Sequence, residues 1–143
     1  MKLSLAYSPC PNDCFIFDAL VHHKIDTEGL EFDLQLEDVE TLNRKALRGE
    51  LDISKLSFHA YAYVLDKYIL LRAGSALGFN CGPLLVEDSR NRWNESDLEN
   101  MTVAIPGKLT TANFLLSLAF PQLKNKKEYV FSDIESAVLK GEV

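Results

Sequence analysis

No stretch of this 143-residue chain approaches the roughly 20 continuous apolar residues that a membrane helix requires. Its opening, MKLSLAYSPCPND, also lacks the long apolar region of a secretory signal, so the expected location is the cytoplasm. Cationic clusters are missing too: 15 Lys and Arg stand against 21 Asp and Glu, a net charge of -6, which argues against nucleic acid as a partner. The densest basic run, Lys124-Asn125-Lys126-Lys127, is short and reads as a solvated loop. Cysteine is sparse and odd in number. Cys10, Cys14 and Cys81 show no zinc-type pairing, which predicts reduced thiols, no disulfide framework and no metal site. What remains is 47% apolar and 10% aromatic, enough for a buried core in an ordinary soluble globular protein, and length alone suggests a single domain.

The hydrophobic pattern predicts short strands alternating with helices. Residues 3–7 read as a strand, followed by a helix over residues 13–23 with Phe15, Ala19 and Leu20 on its buried stripe. LEFDLQLE alternates apolar and polar positions, as a strand at a sheet edge does. Asp38 caps the next helix and Gly49 ends it; LDISKLS then reads as a strand, SFHAYAYVL as a short helix, and residues 68–73 as a further strand. This βαβαβ order predicts an open parallel sheet with helices on its faces. A Gly-rich connection leads to the strand PLLVE, and the polar stretch over residues 88–100 is the expected crossover between two lobes, residues 1–87 and 88–143. The second lobe is expected to contain a strand at residues 102–105, a helix at 111–120, a strand at 128–132, and a helix announced by the capping box Ser132-Asp133-Ile134-Glu135.

The helix end and strand in KALRGELDISKLS return as AVLKGEV, where the strand that should follow is absent. The expectation is an incomplete second lobe in a chain about half the length of its parent protein; a short lobe, or one completed by a partner chain, is the alternative. An unprotected sheet edge there leaves two outcomes open, a homodimer paired or swapped through that edge and a disordered second lobe.

Three turns, YSPCPND, SKLSFHA and IPGKLTTAN, are each predicted to leave the carboxyl end of a parallel strand and enter a helix, the edge where open α/β sheets bind ligands. Taken singly each reads as ordinary capping: Asn12 or Asp13 for the first helix, Ser57, and Thr110 or Thr111 for the others. Together, Ser8, Ser57, Thr110 and Thr111 supply hydroxyls, Lys55 and Lys108 charge, and Asn43 a polar group on the second helix. The site implied is a cleft between two lobes for a small carboxylate-bearing molecule.

At these residues the sequence resembles the 1,4-dihydroxy-6-naphthoate synthase family of the futalosine route to menaquinone. The segments that carry the resemblance are SPCPNDCFIFDAL, LEDVETLNRKALRGELDISKLSFHAY, GPLLV and IPGKLTTANFLL. It implies a two-lobed type II periplasmic-binding-protein-like α/β fold, here with the second lobe incomplete. It also implies conversion of cyclic dehypoxanthine futalosine to 1,4-dihydroxy-6-naphthoate without a cofactor. On this resemblance Asn43, Ser57, Thr110 and Thr111 line the substrate cleft, with Ser8 and Asn12 close by. Cys14 stands where the family motif has Thr. The family's proposed base, a histidine, would lie beyond Val143, while His22 and His23 read as surface residues and His59 as a packing or capping one. A cytoplasmic solute-binding or sensor protein is the alternative reading.

Overall fold

The computed structural model describes residues 1–90 and 92–143. It divides into two units, Met1–Gly78 and Phe79–Val143. In the first unit β1 (Lys2–Tyr7), α1 (Pro11–Val21), β2 (Glu31–Leu36), α2 (Val39–Arg48), β3 (Ile53–Ser54) and α3 (Phe58–Tyr61) follow in turn. The strands pair parallel in the order β2-β1-β3, with Leu5 opposite both Leu34 and Ile53. β1 is therefore central, and Leu5, Ala6 and Tyr7 are buried. β2 takes the edge, as its alternating pattern requires.

α2 forms as its sequence dictates. Asp38 Oδ1 accepts from the backbone N–H groups of Glu40 (3.0 Å) and Thr41 (3.2 Å), and Gly49 closes the helix at φ +70°, a conformation that costs a residue with a Cβ. Leu42, Asn43 and Ala46 form its buried face. α1 departs from expectation. Its apolar residues lie all round, so periodicity selects no face; Phe15 is 85% exposed, and Phe17 instead stacks on Tyr7 at 4.7 Å.

A clamp joins the starts of β1 and β3. Asp52 Oδ2 accepts from Ser4 N–H (2.9 Å) and the Ser4 hydroxyl (2.8 Å), while Asp52 N–H donates back to Ser4 Oγ (2.8 Å). Chiefly through the backbone bond and then the hydroxyl, Ser4 holds the Asp52 carboxyl below its ordinary range. A carboxyl depressed in the folded state adds stability above its unfolded pKa of about 4, and loses it as pH falls through the depressed value. Asp52→Asn is thus expected to lower the urea midpoint of the first unit at pH 7, with the variant and parent curves converging as pH is taken below 4.

Residues 68–73 are not the expected strand. Val64 is buried and the Tyr68 hydroxyl donates to Leu51 O (2.7 Å), which ties this segment to the start of β3 through side chains. Ile69, Leu70 and Leu71 then stay exposed without a ladder. Residues 83–87 likewise form no strand.

The second unit contains β4 (Thr102–Ile105), α4 (Thr111–Ala119), β5 (Asn125–Glu128) and α5 (Ile134–Leu139), with 3-10 turns at Glu95–Asp97 and Phe131–Asp133. β4 and β5 pair parallel, Thr102 opposite Asn125 and Ile105 opposite Glu128. The strand expected at residues 128–132 thus lies earlier, in the basic run expected to be a loop. Lys126 explains the register: its Nζ donates to Asn113 Oδ1 (3.2 Å) and Ser117 Oγ (2.6 Å) on α4, while Val130 and Phe131 remain exposed. The capping box does not form either. Ser132 Oγ donates to Asp133 Oδ1 (3.1 Å), and the 3-10 turn delays the helix to Ile134. Within the polar stretch 88–100, Leu98 is buried and Trp93 meets Phe120 edge to face at 6.2 Å; Asn91, part of the same expected crossover, lies outside the described residues. No helix among the described residues is long and apolar enough to cross a membrane.

Candidate functional site

The β1–α1 turn is organised around a residue that sequence reasoning read only as a cap. The N-cap position is Cys10, without a side-chain bond, and Pro11 occupies the first helical position. Asp13, one turn in and 5% exposed, reaches backward instead. Its Oδ2 accepts from the Ser8 hydroxyl (2.7 Å) and Ser8 N–H (3.3 Å), and its Oδ1 from Asn12 Nδ2 (3.4 Å). Ser8 Oγ in turn accepts from Cys10 N–H (3.4 Å). A carboxylate at this place also meets the partial positive charge of the helix start.

The β3–α3 turn joins the same cluster. Lys55 N–H donates to Ala6 O (2.8 Å), which carries the Lys55 side chain to α1, where its Nζ lies 3.4 Å from Asp13 Oδ1 and donates to Gly74 O (3.1 Å). Two residues on, Ser57 Oγ accepts from Ala60 N–H (3.0 Å) and caps α3. Ser57 N–H donates to Asn43 Oδ1 (3.0 Å). Asn43 is fully buried, and its Nδ2 has no hydrogen-bond partner among the described residues. An orphaned buried donor costs about 1 to 3 kcal/mol, a cost that an acceptor supplied by a ligand would remove.

The first unit therefore gathers Ser8, Asp13, Asn43, Lys55 and Ser57 at the carboxyl ends of β1 and β3, with Asn12 exposed beside them. In the second unit Thr110 caps α4: its hydroxyl donates to Gly107 O (2.7 Å) and its oxygen accepts from Asn113 N–H (3.3 Å). Thr110 is buried and Thr111 exposed. Lys108 Nζ lies 3.8 Å from a Glu128 oxygen.

Two of the three histidines have side-chain partners outside this cluster. His59 Nε2 lies 3.3 Å from the Tyr63 hydroxyl with the rings edge to face, and His22 Nδ1 lies 3.0 Å from Asp18 Oδ1. The cysteines are free thiols, and no group of three or more His, Cys, Asp or Glu among the described residues is placed to hold a metal ion. Chemically, the cluster in the first unit is rich in hydrogen-bond donors: the Asn43 amide, the Lys55 ammonium and the backbone groups of two helix starts. It suits a carboxylate or a developing oxyanion.

Parallel strands whose carboxyl ends carry capped helix starts and buried polar groups define a mixed α/β protein with the features of a ligand-binding edge. The chain belongs to the menaquinone-biosynthesis family, whose model matches residues 3–143. It is 49% identical over 141 residues to the 1,4-dihydroxy-6-naphthoate synthase of Thermus thermophilus, covering 99% of this chain and 50% of that protein. The synthase of the same name from Streptomyces coelicolor is 44% identical over 116 residues, 81% of this chain and 39% of the relative. A crystal structure of an Archaeoglobus fulgidus protein superposes with a TM-score of 0.86 at 41% identity, over 99% of this chain and 51% of that one. The chain thus spans about half the length of the curated relatives it matches. Both are named as synthases, and neither supports the solute-binding or sensor alternative.

Proposed function

We propose that this chain, within a polypeptide of its relatives' length, serves a cytoplasmic 1,4-dihydroxy-6-naphthoate synthase. The reaction is a carbon-carbon lyase step that converts cyclic dehypoxanthine futalosine to 1,4-dihydroxy-6-naphthoate. The observation that carries this reading is the 49% identity to the Thermus thermophilus synthase over 141 residues. The two units are then the first lobe and the beginning of the second in a type II periplasmic-binding-protein-like fold.

Opening the substrate's ring and aromatising the product requires removal of a proton and stabilisation of negative charge developing on oxygen. Preplaced donors stabilise such charge by about 3 to 4 kcal/mol each in other enzymes. Asn43 Nδ2 is suited to this task because it is already desolvated and unpaired. Lys55 adds an ammonium whose position is set by Asp13. Ser8 and Ser57 contribute the remaining polar groups of the first unit for a small carboxylate-bearing substrate. The base, which typically contributes a factor of 10² to 10⁴, is a histidine in the part of the relatives' length that this chain does not span.

The test is an assay of a polypeptide of the relatives' full length carrying this chain, with appearance of the naphthoate as the readout. Turnover is expected, and Asn43→Ala should lower kcat/KM by about 10- to 100-fold, the loss of one hydrogen bond to a charged group. A correctly folded protein that binds the futalosine without forming naphthoate would overturn the assignment.

A further inference from the structure

One contact of the Lys55 ammonium comes from outside the two turns that form the cluster. Gly74 lies 19 residues beyond Lys55, in the segment over residues 72–78 that ends the first unit and forms neither helix nor strand. Its carbonyl nevertheless accepts from Lys55 Nζ (3.1 Å). Its backbone also packs on α1: a Cβ at this position would meet Phe17 Cζ at 3.5 Å and Cε1 at 3.8 Å, ordinary contact distances. Asp13 and Phe17 are one turn apart on α1, so one face of that helix holds Asp13 near Lys55 and Phe17 against Gly74. Gly74 is half-buried there, at φ +82°.

A lysine ammonium is a point charge on a flexible four-carbon stem, so fixing it takes acceptors from more than one direction. Lys55 N–H, bonded to Ala6 O (2.8 Å), fixes the root of the side chain. Asp13 Oδ1, 3.4 Å from Nζ, attracts the charge and at the same time offsets part of it. Gly74 O makes the shorter contact and carries no net charge, so it directs the ammonium while leaving that charge to act on an anion. The conformation of Gly74 matters as much as its position. At φ +82° a residue with a Cβ is strained even though space for the Cβ exists, so Gly74→Ala is expected to turn the backbone, and the carbonyl with it. Gly74→Asn is expected to keep both, because Asn enters the left-handed region more readily than other residues with a side chain.

We propose that Gly74 is a positioning residue of the candidate site, its carbonyl aiming the Lys55 ammonium at the carboxylate of the substrate. This role rests on the synthase reading above, which supplies that carboxylate. The carboxylate keeps its charge while the ring opens elsewhere in the molecule, so Lys55 binds ground state and transition state alike. Loss of the Gly74 contact therefore falls on KM and leaves kcat. A glycine needed only for folding behaves otherwise: its replacement lowers the fraction of active enzyme, hence the apparent kcat, with KM unmoved.

Two measurements on the 143-residue chain need no turnover. Acetylation of Lys55 by acetic anhydride, read by mass spectrometry, should quicken about fivefold in Gly74→Ala, the equivalent of one ordinary hydrogen bond, while the exposed Lys2 keeps its rate. Gly74→Asn should keep the parent rate at both lysines. From the other end of the bond, Lys55→Met should quicken tryptic cleavage after Arg72 by a similar factor, a measurement that stands even where Gly74→Ala disturbs folding. In a polypeptide of the relatives' length, Gly74→Ala should raise KM for cyclic dehypoxanthine futalosine about fivefold with kcat within about twofold of the parent, and Gly74→Asn should restore KM. Unchanged Lys55 acetylation in a folded Gly74→Ala chain, unchanged cleavage after Arg72 in Lys55→Met, or a loss confined to kcat would overturn the role of Gly74. A parent polypeptide that does not turn over would instead overturn the synthase reading, and the acetylation and cleavage rates would still support or overturn the hold of Gly74 on Lys55.

Discussion

Asp13→Ala is expected to lower the stability of the first unit by about 3 kcal/mol. Removing one member of a buried ion pair typically costs 3 to 5 kcal/mol, because the remaining charge stays desolvated; the lower end applies because the Lys55 side chain keeps 23% of its exposure. The loss extends beyond the pair, since the Ser8 hydroxyl and N–H, both directed at Oδ2, lose their acceptor in the same step. Asp13→Asn keeps an acceptor for Ser8 but not the charge facing Lys55, and should recover about half of the loss. Urea unfolding followed by far-UV circular dichroism measures the effect. An unchanged dichroism midpoint in Asp13→Ala would mean that the turn is held by backbone alone.

Leu42→Ala should cost about 3 to 4 kcal/mol. Leu42 is fully buried between α2 and the sheet, in contact with Ala6 and Leu51, and truncating such a leucine combines the lost transfer energy with an unfilled cavity. Ile134 on α5 is chemically similar and half-exposed beside an open apolar trough of about 810 Å³ in the second unit, so Ile134→Ala should cost about 1 kcal/mol or less in the same chain. The contrast is measured by urea unfolding of the two variants and the parent chain under the same conditions. Equal costs at the two positions would show that the trough is as well packed in solution as the core around Leu42.

Much of the candidate site was legible because its residue types have few structural uses. A hydroxyl before a helix, as at Ser57 and Thr110, is a cap wherever it falls, and both residues cap. The pairing of Asp13 with Lys55 was not legible. It joins positions 42 residues apart, and only the parallel register of β1 and β3 brings their turns together. The orphaned amide of Asn43 was equally hidden: a polar residue on an otherwise apolar helix face signals burial, but whether its donor is satisfied depends on what the next turn presents.

The sequence by itself determined the order of β1, α1, β2, α2, β3 and α3 in the first unit, the span of α2 between Asp38 and Gly49, the place of β4 and the family. Each rests on local chemistry: caps, breakers, apolar runs flanked by turns, and motifs long enough to be specific. Tertiary structure alone decided which apolar runs became strands. Residues 68–73 and 83–87 have strand composition but no ladder partner, whereas Asn125–Glu128 has the composition of a loop and pairs with β4. A strand is a relation between two segments rather than a property of one, since its backbone N–H and C=O groups are satisfied only by a neighbour. The buried face of α1 was decided in the same way: with apolar side chains all round, contact with Tyr7 selected Phe17 and left Phe15 in solvent.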